Sequence, residues 1–321
     1  MSEDRQMGEK SIRIRVPGTS ANCGPGFDTL GVACTIYNEL ELTLLHEPRL
    51  AIEIKGDGAS KIPQDERNIV WRSVRYLLEK AGAQGEYPGA VIRMENRVPL
   101  SRGLGSSATA IVSGLKAANV LLDNRFTRRE LLQFATEIEG HPDNVAPALF
   151  GGFTVSILQH GRTETISFVP KLRMKFVVAI PDFYLSTKVA RQALPEQVSL
   201  QDAVFNVGRA SMLVAALLKG NDKVLRDAFD DALHQPYRMS LVPSMKEVFQ
   251  AAKKAGAIGA ALSGAGPCLI AFTLERDRCT QEVGEAMTKA FQAHDIQAKA
   301  ITLGLDLKGA HVLNHAESLK K

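Results

Sequence analysis

The alternation of apolar and polar residues predicts several strands in the first third of the chain. Residues 12–16, 39–45 and 50–55 each place an apolar side chain at every second position, which is the period of a half-buried strand. Residues 90–98 form a further strand of this kind. The turn at 46–49 separates the second and third strands, so we expect these two to pair as a hairpin.

Helical spacing follows between and after these strands. Apolar residues in 68–80 recur on one side, and residues 106–122 are apolar on nearly every side, so we expect the second helix to be buried. A third helix is predicted over 127–139. Thr127 is a suitable N-cap, and Glu130 three residues later completes a capping-box pattern.

The second half of the chain contains more helical spacing than the first. The expected strands are 152–158, 165–169, 175–180 and 297–303, and two apolar runs in 260–273 surround a glycine loop. The expected helices are 200–219, 222–233, 243–255 and 280–293. Because strands follow one another as hairpins and do not alternate strictly with helices, the pattern predicts an α+β fold rather than a doubly wound parallel sheet.

The length and composition are those of a globular protein with more than one core. A chain of 321 residues suggests about two domains. We place a flexible tail at 1–10, an N-terminal domain at 11–165, and a C-terminal domain at 166–321. The net charge of +4 is spread along the chain without a basic run, which does not favour a nucleic-acid partner.

The cysteines and the N-terminus indicate a reducing compartment. None of the four cysteines forms a CxxC pair, so free thiols are expected. The first ten residues are polar, unlike a secretory signal, and no run approaches the roughly 20 apolar residues that span a bilayer. We therefore predict a cytoplasmic protein with no membrane partner.

Residues 99–111 carry the strongest chemical signal. Gly103 and Gly105 would let backbone amides approach a bulky anion, and Ser106 and Ser107 add hydroxyls where a helix starts. The unpaired amides and the dipole at a helix N-terminus favour negative charge, so the loop predicts a phosphate site. It lacks the lysine of GxxxxGK[ST] and the spacing of GxGxxG. A turn that caps a buried helix is the alternative explanation.

Three other clusters share this mixture of glycine and polar residues. Residues 17–28 present Asn22 and Asp28 on a tight irregular path. Residues 137–144 crowd ionisable groups at a helix end, where a glutamate could hold magnesium. Residues 262–268 place glycines between two apolar runs, which often marks close approach of a ligand. Each cluster alone is explained by a turn, but the four in this order indicate one site.

Together the four clusters resemble the signature motifs of the GHMP kinases, the family of galactokinase, homoserine kinase, mevalonate kinase and phosphomevalonate kinase. Residues 99–108 resemble the nucleotide loop Pro-x-x-x-Gly-Leu-Gly-Ser-Ser-Ala residue for residue. Residues 19–28 and 141–148 are most similar to motifs of the members that phosphorylate L-homoserine. Residues 186–191 and 236–238 resemble their substrate-side segments.

The resemblance implies a reaction and an architecture. The reaction is the ATP-dependent phosphorylation of the side-chain hydroxyl of L-homoserine to O-phospho-L-homoserine, a step in threonine biosynthesis, with ATP and Mg²⁺ as cofactors. The architecture is an N-terminal domain like that of ribosomal protein S5 and a ferredoxin-like C-terminal domain, with ATP between them. The resemblance thus implies that 11–165 is the nucleotide-binding domain and that the C-terminal domain at 166–321 contributes to the substrate site. Relatives are often homodimers, so a second copy remains open as a partner.

Carried over position by position, the resemblance also implies site residues. The ATP-binding set is Pro99, Leu100, Ser101, Arg102, Gly103, Leu104, Gly105, Ser106, Ser107, Ala108 and Thr109. The substrate-binding set is Asn22, Asp28, His141, Thr187, Arg191, Arg238 and Gly264. The metal ligands are Ser107 and Glu137, and the catalytic set is Asp28, Glu137, Asp143 and Asn144.

The substrate set suits the chemistry of a zwitterionic amino acid. Such a substrate needs a carboxylate for its ammonium group and a guanidinium for its carboxylate. Asp28 is the candidate for the first, and Arg191 and Arg238 are candidates for the second.

Two choices within the middle motif are less constrained. Glu137 is preferred to Glu139 for the metal because Thr-Glu-Ile-Glu-Gly resembles Gly-Glu-Leu-Glu-Gly in relatives. Asp143 lines up with the catalytic aspartate of mevalonate kinase-like members, whereas Asn144 is the candidate to face the substrate. The sequence assigns no catalytic base.

Other functions remain open at this stage. A GHMP kinase for another small hydroxylated substrate, such as threonine or mevalonate, is the main alternative, and a non-catalytic regulatory homologue is the next. A dinucleotide-dependent oxidoreductase is disfavoured because the GxGxxG spacing and its acidic partner are missing.

Overall fold

The computed structural model describes residues 10–313, so the predicted tail at 1–10 lies outside the described residues apart from Lys10. The strands are β1 (Ser11–Ala21), β2 (Leu30–Leu45), β3 (Leu50–Gly56), β4 (Gly89–Asn96), β5 (Phe153–Gln159), β6 (Arg162–Phe168), β7 (Met174–Pro181), β8 (Gly259–Leu262), β9 (Leu269–Leu274), β10 (Ala298–Gly304) and β11 (His311–Val312).

The helices are α1 (Ile69–Ala81), α2 (Ser106–Leu121), α3 (Arg128–Glu139), α4 (Pro142–Phe150), α5 (Thr187–Gln192), α6 (Leu200–Lys219), α7 (Asp222–Leu225), α8 (Gln235–Arg238), α9 (Met245–Lys254) and α10 (Thr280–Gln292). Short 3₁₀ helices lie at Met239–Leu241 and Glu275–Asp277. In the part of the chain from Lys10 to Leu313, no helix has the length and apolarity to cross a membrane.

The first sheet has seven strands, with β11, β1, β2, β4 and β3 side by side and the β5–β6 hairpin attached to β2. The predicted hairpin of the second and third strands is wrong, because β4 lies between β2 and β3 and pairs with both. β3 and β4 run parallel, which requires a crossover of a dozen or more residues, and α1 supplies it.

Helices α1 and α2 pack together beside the first sheet. A Cβ on Gly114 of α2 would lie 2.7 Å from the carbonyl oxygen of Val70 in α1, so the two helices meet at backbone distance. Most of α2 is buried, as its apolar sequence predicts. The capping box of α3 forms as expected, with the Thr127 hydroxyl accepting from the Glu130 backbone N–H and the Glu130 carboxylate accepting from the Thr127 backbone N–H.

The second sheet has four antiparallel strands in the order β10, β7, β9, β8. With α9 before β8 and α10 before β10, this is the β-α-β-β-α-β order of a ferredoxin-like domain. One apolar core lies between this sheet and α9 and α10, and a second joins it to β2, β5 and α6. The α+β prediction is confirmed.

The two sheets also show where the chain divides. The predicted boundary between residues 165 and 166 falls inside β6, which pairs with β5 along its whole length. Continuity of the sheets therefore favours a division between Phe168 and Met174. The short strand β11 returns to pair with β1, so the first sheet contains residues from both ends of the described chain.

Two stretches differ from the predicted elements. Residues 142–150, for which the pattern predicted no element, form α4, with Pro142 in its first turn. The helix expected over 222–233 is only the four-residue α7, because the chain then runs into a buried loop. Phe229 in that loop is 1% exposed and stacks on Phe272 of β9, so packing rather than helical spacing decides its path.

Gly31 of β2 carries a testable packing constraint on α4. A Cβ at this position would lie 2.0 Å from the carbonyl oxygen of Asp143 and 2.8 Å from Cγ of Pro147. We expect Gly31→Ala to lower the free energy of unfolding by about 1–3 kcal/mol, since a methyl group overpacks the contact. Gly208→Ala in α6, where a Cβ would meet nothing within 4 Å, should raise it by about 0.5–1 kcal/mol. Urea unfolding of both variants checks this, and equal stabilities would contradict the packing.

Candidate active site

One cleft brings all four sequence clusters together. Residues of 22–28, 101–107, 141–144 and 264–266 line it. Thr187 of the predicted substrate set and its neighbour Ser186 also line the cleft, at the start of α5. The sequence did not single out several other wall residues, which include Lys61–Pro63 and Arg67 before α1, Ile69 at its start, and Leu185. These segments are ordinary polar and apolar loop residues, so no local pattern marks them.

The nucleotide loop turns through two glycines into the exposed N-terminus of α2. Gly103 and Gly105 have φ angles of 81° and 69°, in the left-handed region that favours glycine. A Cβ on Gly103 would lie 2.2 Å from the carbonyl oxygen of Ser263, and one on Gly105 would lie 1.9 Å from the hydroxyl of Thr19. No side chain caps α2, so its first turn opens on the cleft.

Part of the predicted ATP-binding set points away from the cleft. Leu100, Ser101, Arg102, Gly103, Gly105, Ser106 and Ser107 line it. The other four residues, Pro99, Leu104, Ala108 and Thr109, are buried and do not line the cleft, and contact of their backbone with ATP stays a prediction. The Thr109 hydroxyl, for example, accepts from Nδ2 of Asn38 (2.9 Å) and donates to the Ser106 carbonyl (2.8 Å).

Arg102 connects the nucleotide loop to the second domain. Its guanidinium donates to the carbonyl oxygens of Pro181 and Phe183 and lies over the ring of Tyr184, 4.2 Å from the centroid. The side chain of Arg102 therefore contacts residues 181–184, the start of the segment that leads to α5.

The glutamate expected to bind metal is not the one at the cleft. Glu137 lies on the outer side of α3, where its carboxylate accepts from the Tyr76 hydroxyl and from Nε2 of Gln133 (2.8 Å). Glu139, the last residue of α3, accepts from the hydroxyl of Ser107 at 2.8 Å and lines the cleft. Glu139, and not the predicted Glu137, therefore lies at the cleft, because two residues along a helix lie about 200° apart around its axis.

Burial raises the pKa of Glu139, and the Ser107 hydrogen bond acts against that rise. A bound cation would offset this cost of burial, since a positive ion favours the ionised form of Glu139. Its carboxylate and the Ser107 hydroxyl are oxygen donors, which suit magnesium.

The middle motif places three predicted residues at the start of α4. Nδ1 of His141 lies 2.5 Å from Oδ1 of Asp143, whose side chain is 3% exposed. Burial opposes protonation of His141, but the Asp143 hydrogen bond and charge, together with the Glu139 charge, raise its pKa. Asn144 is held by its side-chain oxygen, which accepts from the hydroxyl of Thr19 at 2.8 Å.

The first motif curls around the side chain of Asn22. Its Oδ1 accepts from the backbone N–H of Asp28 (3.0 Å), and its Nδ2 donates to the carbonyl of Gly264 (3.0 Å). Asp28 in turn accepts two hydrogen bonds from Arg191, at 2.7 and 3.0 Å. The predicted ammonium-binding and carboxylate-binding groups therefore pair with each other.

Arg238 is the most deeply buried cation of the site, with 2% of its surface exposed. Nε donates to the Ala190 carbonyl (3.1 Å), and Nη1 donates to the Gly264 carbonyl and to Nδ1 of His234, both at 3.2 Å. Nη2 has no hydrogen-bond partner in the described range 10–313, and the residue lines the cleft. Burial, followed by the Arg191 charge, lowers the pKa of Arg238 to about 10.

Family models match two parts of the chain. The model described as GHMP kinases N terminal domain matches residues 68–152, and the one described as GHMP kinases C terminal matches residues 213–294. Together they cover the nucleotide loop, the middle motif and the glycine loop between β8 and β9.

Curated relatives and solved structures agree with these models. The homoserine kinase of Carboxydothermus hydrogenoformans is 44% identical over 300 residues, 93% of this chain and 96% of the relative. That of Desulfitobacterium hafniense is 42% identical over 302 residues, 94% of this chain and all of the relative.

A crystal structure of homoserine kinase from Cytophaga hutchinsonii superposes with a TM-score of 0.86 at 32% identity, covering 98% of this chain and 100% of that one. Mevalonate diphosphate decarboxylase from Staphylococcus aureus, at 14% identity and a TM-score of 0.72, shares the fold. With both family models matched and relatives above 40% identity over nearly its whole length, the chain belongs to the GHMP kinase family, in the two-domain architecture of that family.

Proposed function

We propose that the protein transfers the γ-phosphoryl group of ATP to the side-chain hydroxyl of L-homoserine and forms O-phospho-L-homoserine. The curated relatives named homoserine kinase support the reaction. The observation that carries the choice of substrate is the buried guanidinium of Arg238, which faces the cleft with Nη2 unpartnered among residues 10–313.

A substrate carboxylate is the natural partner for this group. A buried cation is costly unless it is paired and hydrogen-bonded, and Arg238 is held only by neutral acceptors. The two hydrogens on Nη2 would donate to a carboxylate in charge-assisted hydrogen bonds. Asp28 lies on the same cleft and would receive the substrate ammonium, sharing its charge with Arg191.

The phosphates of ATP would lie on the nucleotide loop and the N-terminus of α2. The open first turn, Gly103 and Gly105 provide backbone amides and helix-dipole charge for an anion. Ser107 and Glu139 would hold Mg²⁺, which supplies charge neutralisation for the phosphates when bound.

The transfer itself depends on positioning more than on proton abstraction. Phosphoryl transfer has a charge-diffuse transition state that is stabilised mainly by alignment and electrostatics. Oδ1 of Asp143 already accepts from His141 and faces Nδ2 of Asn144 at 3.4 Å, so this carboxylate serves first to order its neighbours. We propose Asp143 and Asn144 as groups that shape the acceptor side, and we assign no general base.

The choice of substrate can be tested by measuring ADP release from ATP and Mg²⁺ with L-homoserine, L-threonine, L-serine and mevalonate. We expect strong stimulation by L-homoserine, because an amino acid satisfies both Asp28 and Arg238 and the relatives named homoserine kinase favour this amino acid over L-threonine and L-serine. Mevalonate, which lacks an ammonium group, should stimulate weakly. Stimulation by a different compound alone would move the substrate assignment and keep the kinase, and silence with all four would favour a regulatory protein.

Arg238→Ala should raise KM for L-homoserine by about 10–100-fold, because a charge-assisted hydrogen bond is lost. The KM for ATP should change by less than about 3-fold. Arg93→Ala is the matched control, because that arginine pairs with Glu41 on the surface of the first sheet. Steady-state kinetics of both variants decide. Equal rises in the two Michaelis constants would refute the carboxylate contact.

The positions of Glu137 and Glu139 predict different effects of their substitution on turnover. Glu139→Gln should lower kcat by about 100-fold or more, since an acceptor for the metal loses its charge. Glu137→Gln should stay within about 2-fold of the unchanged enzyme, because its partners Tyr76 and Gln133 lie outside the cleft. Turnover is measured across a series of Mg²⁺ concentrations, and the reverse order of effects would restore Glu137 as the metal ligand.

A further inference from the structure

A buried histidine lies directly behind the substrate side of the cleft. The side chain of His234 is fully buried, at the residue that precedes α8. Nε2 lies 2.8 Å from the carbonyl oxygen of Gly24, and Nδ1 lies 3.2 Å from Nη1 of Arg238. One ring therefore contacts the first motif, which belongs to the N-terminal domain, and an arginine of the C-terminal domain.

The contacts determine which ring nitrogen carries the proton. A guanidinium only donates hydrogen bonds, so Nδ1 of His234 must accept from Arg238. The carbonyl of Gly24 only accepts, so Nε2 must carry the hydrogen. Burial lowers the pKa of His234, which favours this neutral ring.

The hydrogen bond that Nδ1 of His234 accepts determines which nitrogen of Arg238 remains available to a ligand. The two hydrogens of Nη1 go to His234 and to the Gly264 carbonyl, and the hydrogen of Nε goes to the Ala190 carbonyl. The plane of the guanidinium is thereby set, and Nη2 is directed to the cleft. Without the imidazole acceptor, Nη1 would have one buried hydrogen with no partner, and the group could rotate to satisfy it.

The N–H group at Nε2 of His234 donates to the Gly24 carbonyl, which lies in the loop that carries Asp28. Gly24 has a φ of 84°, and a Cβ there would lie 2.3 Å from the Phe229 carbonyl, so this part of the loop lies against the second domain. The ring of Phe27 stacks on His234 with centroids 5.2 Å apart. The centroid of the Phe27 ring also lies 5.2 Å from the guanidinium carbon of Arg238, so the ring packs against both members of the hydrogen-bonded pair.

The backbone at His234 is held in place by Asp231. The carboxylate of Asp231 accepts from the backbone N–H groups of Leu233, His234 and Gln235, at 3.0, 3.0 and 2.7 Å. These contacts hold the turn before α8 independently of any substrate.

We propose that His234 is a positioning residue for L-homoserine: it accepts from Nη1 of Arg238 and donates to Gly24, and so sets the guanidinium and the Asp28 loop at the spacing of the substrate's carboxylate and ammonium. This inference rests on the proposed function. His234 acts through its neighbours and does not itself contact the substrate.

Two substitutions separate the two contacts. His234→Asn places an amide oxygen near the position of Nδ1 and keeps the acceptor for Arg238. His234→Gln reaches the position of Nε2 with an amide nitrogen and keeps the donor to Gly24, but it loses the acceptor. We expect His234→Gln to raise KM for L-homoserine about 10-fold, with KM for ATP within about 2-fold, and His234→Asn to raise it less.

A double-substitution cycle shows whether His234 works through Arg238. In the Arg238→Ala background, His234→Gln should change KM for L-homoserine by less than about 2-fold, because the group it orients is gone. The same 10-fold effect in both backgrounds, or parallel rises in KM for both substrates, would overturn the proposal. Asn206→Ala is the control, since Asn206 holds the neighbouring Pro25 carbonyl (2.7 Å) and the Ala232 backbone N–H (3.1 Å) and is not hydrogen-bonded to Arg238.

The wild-type enzyme allows the proposed function and the role of His234 to be tested separately. Its turnover of L-homoserine in the same assay reports on the reaction, and the ratio between variants reports on His234. Should the His234 variants not fold, ¹⁵N NMR of the unchanged protein gives an independent answer. We expect His234 as the tautomer protonated at Nε2, and a proton on Nδ1 would overturn the proposal.

Discussion

The cleft depends on three loops that meet at backbone distance. The end of β1, the nucleotide loop and the loop between β8 and β9 are joined by hydrogen bonds: Thr19 N–H to the Leu104 carbonyl (3.0 Å), the Ser263 hydroxyl to the Gly103 carbonyl (2.6 Å), and Cys268 N–H to the Arg102 carbonyl (3.2 Å). Such spacing leaves no room for a Cβ on Gly103. Because these segments come from both domains, the phosphate side of the cleft and its substrate side meet at one hydrogen-bonded junction.

Charges in the cleft are arranged in two different ways. Asp28 and Arg191 neutralise each other through two hydrogen bonds, whereas the hydrogen bonds of Arg238 go to two carbonyl oxygens and to the imidazole of His234. Neutral acceptors lower the cost of burying a guanidinium without cancelling its charge. A ligand with one negative and one positive group can therefore add its anion to Arg238 and its cation to Asp28 without leaving a buried charge unpaired.

The sequence predicted the parts of this arrangement that local chemistry dictates. Gly103 and Gly105 are required by the turn itself, and the Thr127–Glu130 capping box closes within four residues. Contacts between distant segments were not predictable in the same way. Ser107 and Glu139 are 32 residues apart, and which glutamate meets the serine depends on where α3 ends relative to α2. The pairing of β4 between β2 and β3, and the histidine behind Arg238, likewise arise from tertiary packing that leaves no periodic signal.

The return of β11 to β1 has a consequence for synthesis on the ribosome. Residues 11–168 supply six of the seven strands of the first sheet, but the outer edge of β1 is covered only when His311 and Val312 have been made. Until then, β1 presents unpaired N–H and C=O groups of the kind that recruit other chains. In the newly made first domain, the part of the β1 edge at Ile14 and Arg15 therefore stays uncovered until nearly the whole second domain has emerged.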